Sequence, residues 1–254
     1  MDETVLLGGA FFVVAILYSS VGHAGASGYL AVMALTSFAP AVMRPTALVM
    51  NIVVATIATA RSYRAGCFSW RTLWPFVVTS IPLSFVGGAL TLPSPAYKAV
   101  VGAILVVAAA KLAYDAARKT EPEADRADVA PVVPIAPALA WGAVLGLLAG
   151  LTGTGGGIFL SPLLLLLRWA DTRKTAGVSA AFILANSIAG LAGALPSLRS
   201  LPAATYGWCG AVAVGGLIGA ELGAKRLGTK AIRFLLAAVL VIAGLKLVGS
   251  AVTG

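Results

Sequence analysis

Long apolar runs constrain this chain more than any other feature of its sequence. The run Leu201–Gly223 contains one charged residue, Glu221, and no charged residue interrupts the stretch between Arg233 and Lys246. A helix that crosses the hydrocarbon core of a bilayer requires about 20 mainly apolar residues. Charged residues make up only 11% of the chain, whereas soluble domains carry about 25% because their surfaces face water. We therefore predict an all-α, polytopic membrane protein.

The remaining composition argues against other classes of protein. A net charge of +9 would indicate nucleic-acid binding in a soluble protein, but in a membrane chain loop cations orient the helices. Cys67 and Cys209 form no CxxC pair and His23 is the single histidine, so the sequence predicts neither a metal site nor a cofactor. Met1–Glu3 is acidic, unlike the basic start of a secretory signal, so we expect the first apolar segment to be retained.

The chain divides into two similar halves joined by a polar linker. The polar stretch Asp115–Asp128 is followed by a proline-rich run, which is typical of a solvated connection. We therefore predict a first membrane repeat at residues 1–114, a cytoplasmic linker at 115–135 and a second membrane repeat at 136–254. The same features recur in the same order, which indicates an internal duplication. The matching segments are Gly22–Ala26 with Gly153–Gly157, Leu48–Val53 with Ile183–Ile188, and Tyr97–Leu112 with Ile232–Leu247.

Each repeat is predicted to contain a helical hairpin broken by glycines, followed by three full-length transmembrane helices. The hairpin pieces are short, since 15 helical residues rise only about 22 Å and the hydrocarbon core is about 30 Å thick. These pieces are Leu6–Ser20 and Gly28–Phe38, then Ala136–Gly150 and Ile158–Leu167. The full-length helices are expected at about Thr46–Ala60, Leu73–Leu92 and Tyr97–Ala116, and at about Thr175–Leu195, Ala203–Leu222 and Ala231–Ala251.

The loop cations favour inverted repeats. If each broken segment crossed the bilayer once, the cations would divide almost evenly between the two faces, eight against nine, with the intrahelical Lys111 left out. If it enters and leaves on one face, they divide thirteen to four, as the positive-inside rule requires. Both termini then lie outside the cytoplasm. The same parity holds for a re-entrant hairpin and for two fully spanning thin helices, so both versions stay open. The four outer cations are Arg44, Lys98, Arg199 and Lys246.

The glycine-rich breaks form the candidate binding site. Unwound backbone is too costly to expose to lipid, so it lines protein or a wet cavity, and transporters with inverted repeats bind ligands at such breaks. Glycines uncover backbone N–H groups, and the next helix N-terminus, expected at Ser27 or Gly28 and at Ile158, adds partial positive charge. Two breaks together would hold one small oxyanion. The candidate residues are Gly22, His23, Gly25 and Ser27 in the first break and Gly153, Thr154, Gly155, Gly156 and Gly157 in the second.

Polar side chains near the breaks extend this site. Asn51 and Asn186 occupy matching positions in the helix after each break, where an amide either bridges helices or donates to a ligand. His23 is an intramembrane ionisable residue, a class that is functional by default, and histidine titrates near neutrality. We therefore name His23 as the candidate for proton coupling. Further hydroxyl donors are Ser179, Thr152 and Ser161.

Three charged residues inside apolar runs receive structural interpretations. Glu221 is followed four residues later by Lys225, and this spacing predicts an ion pair on one helix face. Lys111 and Lys246 match across the duplication. Both long side chains are expected to extend towards a membrane face, which keeps their ammonium groups solvated.

At these motifs the sequence resembles the TauE/SafE family of sulfite and organosulfonate transporters. The resemblance is carried by LAGLTGTGGGIFLSPLLLLL and KTAGVSAAFILANSIAG in the second half, and by YSSVGHAGASGYLAVMAL and RPTALVMN in the first. Its GTGGG-x4-P signature comprises Gly153–Gly157 and Pro162. The resemblance implies an inner-membrane transporter of sulfite, sulfonates or related sulfur-containing anions, generally an exporter.

The sequence therefore predicts a secondary carrier for a small sulfur-containing anion that works by alternating access, not an enzyme. The GTGGG run lacks the Lys-Ser/Thr of a P-loop, so ATP-driven transport is not expected. An enzyme would require a nucleophile–base or metal constellation, which one histidine and two distant cysteines do not supply. The alternative is an anion channel with a glycine-rich filter. The expected partners are the anion and membrane lipid, without nucleic acid, and homo-oligomerisation is left open.

The charge distribution predicts the activity of reporter fusions. Alkaline phosphatase fused after Gly254 should be active, because both termini are expected outside the cytoplasm and the enzyme folds only there. Green fluorescent protein at the same position should be dark, whereas it should fluoresce when inserted in the linker after Arg126. A fluorescent C-terminal fusion would contradict the inverted topology.

Overall fold

The chain is helical in the residues that its structure, a computed structural model, describes: 3–20, 23–117, 133–224 and 229–252. A short 3-10 helix at Leu195–Ser200 follows the eighth α-helix of these ranges. The first half contains α1 (Glu3–Ser20), α2 (Ala26–Leu35), α3 (Pro40–Arg64), α4 (Trp70–Ala89) and α5 (Ser94–Ala117). The second half contains α6 (Ile135–Thr152), α7 (Gly157–Leu166), α8 (Thr172–Gly193), α9 (Thr205–Ala224) and α10 (Thr229–Val252).

The helix lengths and compositions confirm a polytopic membrane protein. Within the described ranges, seven helices are long and apolar enough to cross a membrane, namely α1, α3, α4, α5, α6, α8 and α10. By contrast, α2 and α7 have 10 residues each, which corresponds to a rise of about 15 Å. Neither short helix reaches across the hydrocarbon core alone, in agreement with the predicted short second piece of each hairpin. The first pieces are also predicted to be too short, but α1 and α6 extend to 18 residues each and are long enough to cross, whereas α9, predicted as a full-length helix, is not among the seven.

Helix α3 begins earlier than the sequence predicts. It starts at Pro40 and continues through Pro45 instead of starting at Thr46. Pro45 has no N–H, so the carbonyl of Ala41 loses its helical donor. The Ser200 hydroxyl of the 3-10 helix lies 3.1 Å from this carbonyl and 2.7 Å from the carbonyl of Ser197. The hydroxyl of the second half is thus shared between the carbonyl that the proline exposes and its own 3-10 helix.

Helices α1 and α2 form the first predicted hairpin. The rings of Phe11 and Tyr29 meet edge-on with their centroids 6.0 Å apart, although Phe11 lies in the middle of α1. A Cβ atom at Gly28 would lie only 2.5 Å from Cγ1 of Val14, so glycine permits this close contact. Helix α2 therefore folds back along α1 rather than continuing in line with it.

The second hairpin follows from the directions of α4, α6 and α8. Successive glycines of α6 contact successive turns of α4, with Gly146 on Ser80 and Gly150 on Ser84, so these helices run parallel. The Ser84 hydroxyl also donates to the carbonyl of Asn186 at 2.7 Å, and Gly88 contacts Gly190. Helix α8 is therefore parallel to α4 and α6, and the chain reverses direction through α7.

Equivalent helices of the two halves pack against each other in opposite directions. Along α3 and α8, Asn51 bonds Ser187, while Gly177, earlier in α8, contacts Ser62, later in α3. Helices α5 and α10 are likewise antiparallel, because Gly102 contacts Val248 and Gly244 contacts Val106. A two-fold rotation axis that interchanges two antiparallel helices must run perpendicular to both of them. These directions support the inverted repeats, whose orientation in the bilayer remains a prediction.

Charged side chains join the halves at both ends of the bundle. Arg61 of α3 forms an ion pair with Glu221 of α9, with 2.6 Å between Nη2 and Oε2; Lys225, the partner expected from the sequence, lies outside the described residues. Lys246 extends to the end of α2, where Nζ donates to the Leu35 carbonyl at 2.7 Å. Exposed ion pairs contribute about 0–1 kcal/mol, so helix packing stabilises the fold more than these contacts do.

The packing of α4 on α6 predicts the effect of filling a glycine position. A Cβ atom at Gly146 would overlap the backbone of Ser80, so Gly146→Ala should destabilise the protein by about 1–3 kcal/mol. Gly210→Ala in α9 is the control, since nothing lies within 4 Å of a Cβ at that position. Thermal unfolding in detergent measures both variants. Equal melting temperatures for the two would contradict the close α4–α6 contact.

Candidate functional site

The short helices α2 and α7 both begin at a glycine in the left-handed conformation. Gly25 precedes α2 with φ 98°, and Gly156 precedes α7 with φ 76°. These positions match in the duplication, and glycine adopts this conformation without the steric cost that other residues carry. The match extends to the ends of both helices, where Ser37 and Arg168 have φ 62° and 55°. Both short helices thus follow a left-handed glycine and end before a left-handed residue at matched positions.

The second break lies along one face of α3. Gly153 and Gly155 have φ values of 84° and 70°. A Cβ atom at Gly153 would lie 3.0 Å from the carbonyl oxygen of Arg44, and one at Gly155 would lie 2.5 Å from Nδ2 of Asn51. Only glycine therefore combines this backbone conformation with such close contact to the helix.

A small cavity lies where the two breaks meet. The cavity has a volume of about 10 Å³, which is room for about one water molecule. The first half supplies part of α1, the first break and Asn51, and the second half supplies the second break and α8. The lining residues are Tyr18, His23, Ala24, Gly25, Ala26, Ser27, Asn51, Thr154, Ile158 and Ile183.

Five of the predicted site residues line this cavity. They come from both breaks and from α3, and matched positions of the duplication meet there: His23 faces the same cavity as its counterpart Thr154. Gly155 adjoins it through its contact with Asn51. These predicted residues therefore lie together at one cavity, and their role in ligand binding stays a prediction. The five residues are His23, Gly25, Ser27, Asn51 and Thr154.

The other predicted residues lie outside the cavity lining. A Cβ atom at Gly156 would lie 2.9 Å from the Phe182 ring, and Gly157 packs against Ile183. Ser179 accepts a hydrogen bond from Ser161 at 2.9 Å. Gly153 contacts Arg44, and Gly22 is outside the described residues.

Asn186 differs from its counterpart Asn51 in its contacts. The Asn186 side-chain amide donates to the Phe182 carbonyl of its own helix at 2.8 Å, and its backbone carbonyl accepts from Ser84. Asn51 donates through Nδ2 to Ser187 at 3.2 Å. Both asparagines are fully buried, and Oδ1 of each has no hydrogen-bond partner among the described residues. Asn51 is the better candidate for a ligand contact because it lines the cavity, whereas Asn186 does not.

Sequence reasoning missed several residues of this site. Tyr18, at the end of α1, accepts a hydrogen bond from the Ser27 hydroxyl at 2.9 Å and closes one side of the cavity. Its place just before the break is a signal that could have identified it. Ser187 follows Asn186 directly in the sequence, yet it bonds Asn51. Nothing in the sequence indicates that pairing, because it depends on the crossing of α3 and α8.

The chemistry of the cavity suits an anion. The first N–H groups of α2 and α7 have no acceptor within their own helices, and a helix N-terminus carries partial positive charge. Both helix starts adjoin the cavity, and the residues that line it include no carboxylate. Hydrogen-bond donors without a competing negative charge are typical of a small oxyanion site.

Comparison with known proteins now assigns the family. The sequence profile of the family "Sulfite exporter TauE/SafE" matches residues 7–247. The chain belongs to the TauE/SafE family. This TauE/SafE protein is also 43% identical over 245 residues to "Probable membrane transporter protein y4hK" of Sinorhizobium fredii (strain NBRC 101917 / NGR234), which covers 96% of this chain and 98% of that protein. No solved structure matches the chain.

The family assignment confirms two predictions made from the sequence. It confirms the resemblance identified from the glycine motifs, because the match spans nearly the whole chain. It also makes this TauE/SafE protein a membrane transporter rather than an enzyme. The cavity between the two breaks is therefore the candidate binding site of a transporter.

Proposed function

We propose that this TauE/SafE protein is a secondary transporter that exports a small sulfur-containing anion, sulfite or an organosulfonate, across the bacterial inner membrane. The observation that carries the proposal is the meeting of both glycine breaks at one cavity with Asn51. The name of the family, a sulfite exporter family, supports the substrate. The helix starts and Asn51 would donate hydrogen bonds to its oxygens, and bonds to a charged group contribute about 1.5–3 kcal/mol each.

The cavity is lined by residues from both halves, and this arrangement supports transport by alternating access. His23 and Ser27 belong to the first half, whereas Thr154, Ile158 and Ile183 belong to the second. Because the cavity has room for about one water molecule, a sulfur oxyanion requires the walls to separate. Movement of one half against the other would open the cavity to each face in turn. A lining shared by both halves around so small a volume supports a carrier over a channel.

His23 supplies a route to proton coupling. It lines the cavity beside Ser27 and Thr154, where a protonated imidazole would attract the anion and a neutral one would release it. Histidine is the side chain whose charge ordinarily changes between about pH 5 and 8. We therefore propose that a proton on His23 accompanies the anion.

The Gly155 position provides the first test of the site. Gly155→Ala places a Cβ atom against Asn51 and Ser187, so sulfite binding measured by isothermal titration should weaken at least about tenfold, the loss of one charged hydrogen bond. Gly66→Ala is the matched control, since Gly66 has a similar φ of 67° with nothing within 4 Å of a Cβ. The control reproduces the backbone strain without entering the site.

The same titration should include sulfate, methanesulfonate and chloride. Selective, saturable binding of sulfite or methanesulfonate by the wild type and by Gly66→Ala would support the proposal. Folded wild-type protein that binds no sulfur anion would refute the substrate. Counterflow in proteoliposomes then separates carrier from channel, because only a carrier exchanges internal for external anion.

Proton coupling is tested through His23. In wild-type proteoliposomes, sulfite flux should depend on an imposed pH gradient, and His23→Gln should remove this dependence while retaining exchange without a gradient. The reason is that glutamine preserves hydrogen bonding but does not titrate. Measurement of counterflow and gradient-driven flux between about pH 5 and 8 covers the titration range of histidine. Full pH dependence in His23→Gln would refute its role.

A further inference from the structure

Arg44 is a buried cation inside the membrane domain. The charge count places it in an outer loop, but it belongs to α3 and is only 6% exposed. Its Nη1 donates to the carbonyl of Leu90 at 2.7 Å and lies 3.5 Å from the carbonyl of Gly87. The guanidinium thus lies at the end of α4, beneath the connection to α5, still at the predicted outer end of the bundle.

No carboxylate among the described residues pairs with this guanidinium. The described ion pairs join Arg61 to Glu221 and Lys174 to Asp171, and both hydrogen bonds of Arg44 come from Nη1 and go to backbone carbonyls. A guanidinium has five N–H donors, and a helix C-terminus supplies only a partial negative charge. Since buried charges are normally paired, Arg44 retains capacity for an anion.

Arg44 also lies on the same face of α3 as the cavity residue Asn51. Asn51 is seven residues after Arg44 in the sequence, which corresponds to nearly two helical turns and about 10 Å along the axis. The second break covers this face, with Gly153 against Arg44 and Gly155 against Asn51. Thr154, between these glycines, lines the cavity. The break therefore extends from the backbone and side-chain stem of Arg44 to the cavity.

Hydroxyl groups continue along this connection. Tyr97 of α5 is buried and donates to the carbonyl of Thr152 at 3.1 Å. The hydroxyl oxygens of Thr152 and Thr154 are 3.0 Å apart. These buried, hydrogen-bonded polar groups form a path from the outer end of α5 to the cavity.

Helix capping alone does not account for a buried arginine here. At the C-terminus of α2, Lys246 donates to the Leu35 carbonyl from an exposed position, so a cap in this fold needs no buried charge. In the register that aligns Asn51 with Asn186, the counterpart of Arg44 is Ser179, which is uncharged and bonds Ser161. The cation is therefore present at one end of the duplicated site only.

We propose that Arg44 forms a second anion-binding site, at the outer end of the path, where a sulfite or sulfonate group binds between the cavity and the extracytoplasmic face. A planar guanidinium suits this role because it binds oxyanions with two parallel hydrogen bonds. The inference rests on the proposed function. It assigns the outer-facing state a higher affinity for the anion than the cavity alone would give.

Sided transport measures this effect. In membrane vesicles of known orientation, Arg44→Gln should raise the half-saturating sulfite concentration at the outer face about tenfold or more, the loss of one charged hydrogen bond. The half-saturating sulfite concentration at the inner face should change less than about twofold. Arg44→Lys, which keeps the charge, should stay closer to wild type. Arg199→Gln, an exposed cation of the 3-10 helix on the same predicted face, should match wild type at both faces.

A cysteine at this position separates charge from helix capping. The chain has two cysteines, Cys67 and Cys209, so Arg44→Cys can be studied with both replaced by alanine. A cationic methanethiosulfonate added outside should lower the half-saturating concentration of methanesulfonate at the outer face, and an anionic one should raise it. Methanesulfonate should slow both reactions, and it replaces sulfite here because sulfite cleaves both the reagents and the mixed disulfide. These opposite effects would support the second site even where Arg44→Gln folds poorly.

Three results would overturn the inference, and they separate it from the proposed function. Equal losses at both faces for Arg44→Gln, without rescue by lysine, would show a structural role. Identical effects of the two reagents, or no reaction from outside, would show that no anion reaches this position. Both results leave the central site intact if Gly155→Ala still weakens sulfite binding. Absence of sulfite transport by the wild type would instead overturn the proposed function and this inference with it.

Discussion

Backbone polar groups that cannot face lipid govern the arrangement of this protein. Each half interrupts a helix with glycines, and the uncovered N–H and C=O groups must meet protein, water or ligand. The bundle therefore encloses both breaks. It does so through close helix contacts at small residues, such as Gly146 and Gly150 of α6 against α4 and Gly190 of α8 against Gly88. The site and the packing around it are consequences of the same requirement.

The duplication brings two similar structures to one cavity without making them identical. Gly25 and Gly156 start their helices in the same left-handed conformation, so both helix N-termini can act on one anion. The side chains differ, with His23 opposite Thr154 at the cavity, and with a buried arginine at one end where the other half has Ser179. The scaffold is therefore similar in the two halves, but the side chains it presents differ between the two ends of the site.

Much of the candidate site could be predicted from residue types in a repeated pattern. Glycines in matched breaks, a histidine within one of them and Asn51 in the next helix all indicated the cavity, and His23, Gly25, Ser27, Asn51 and Thr154 line it. The pattern treated Asn51 and Asn186 as equivalent, although only Asn51 lines the cavity. It also placed Arg44 in a loop, because Pro45 concealed the earlier start of α3.

The sequence by itself determined the membrane class, the duplication, the helices and the breaks, because each depends on local composition and spacing. Long apolar runs must leave water, and the dense glycine run Gly153–Gly157 favours an interruption of the helix because glycine adopts left-handed backbone at little cost. The tertiary structure alone decided which side chains meet: Ser187 with Asn51, Tyr18 with Ser27, and Arg44 with the end of α4 and the second break. These contacts join residues from crossing helices, and the register of each crossing is set by packing across the whole bundle.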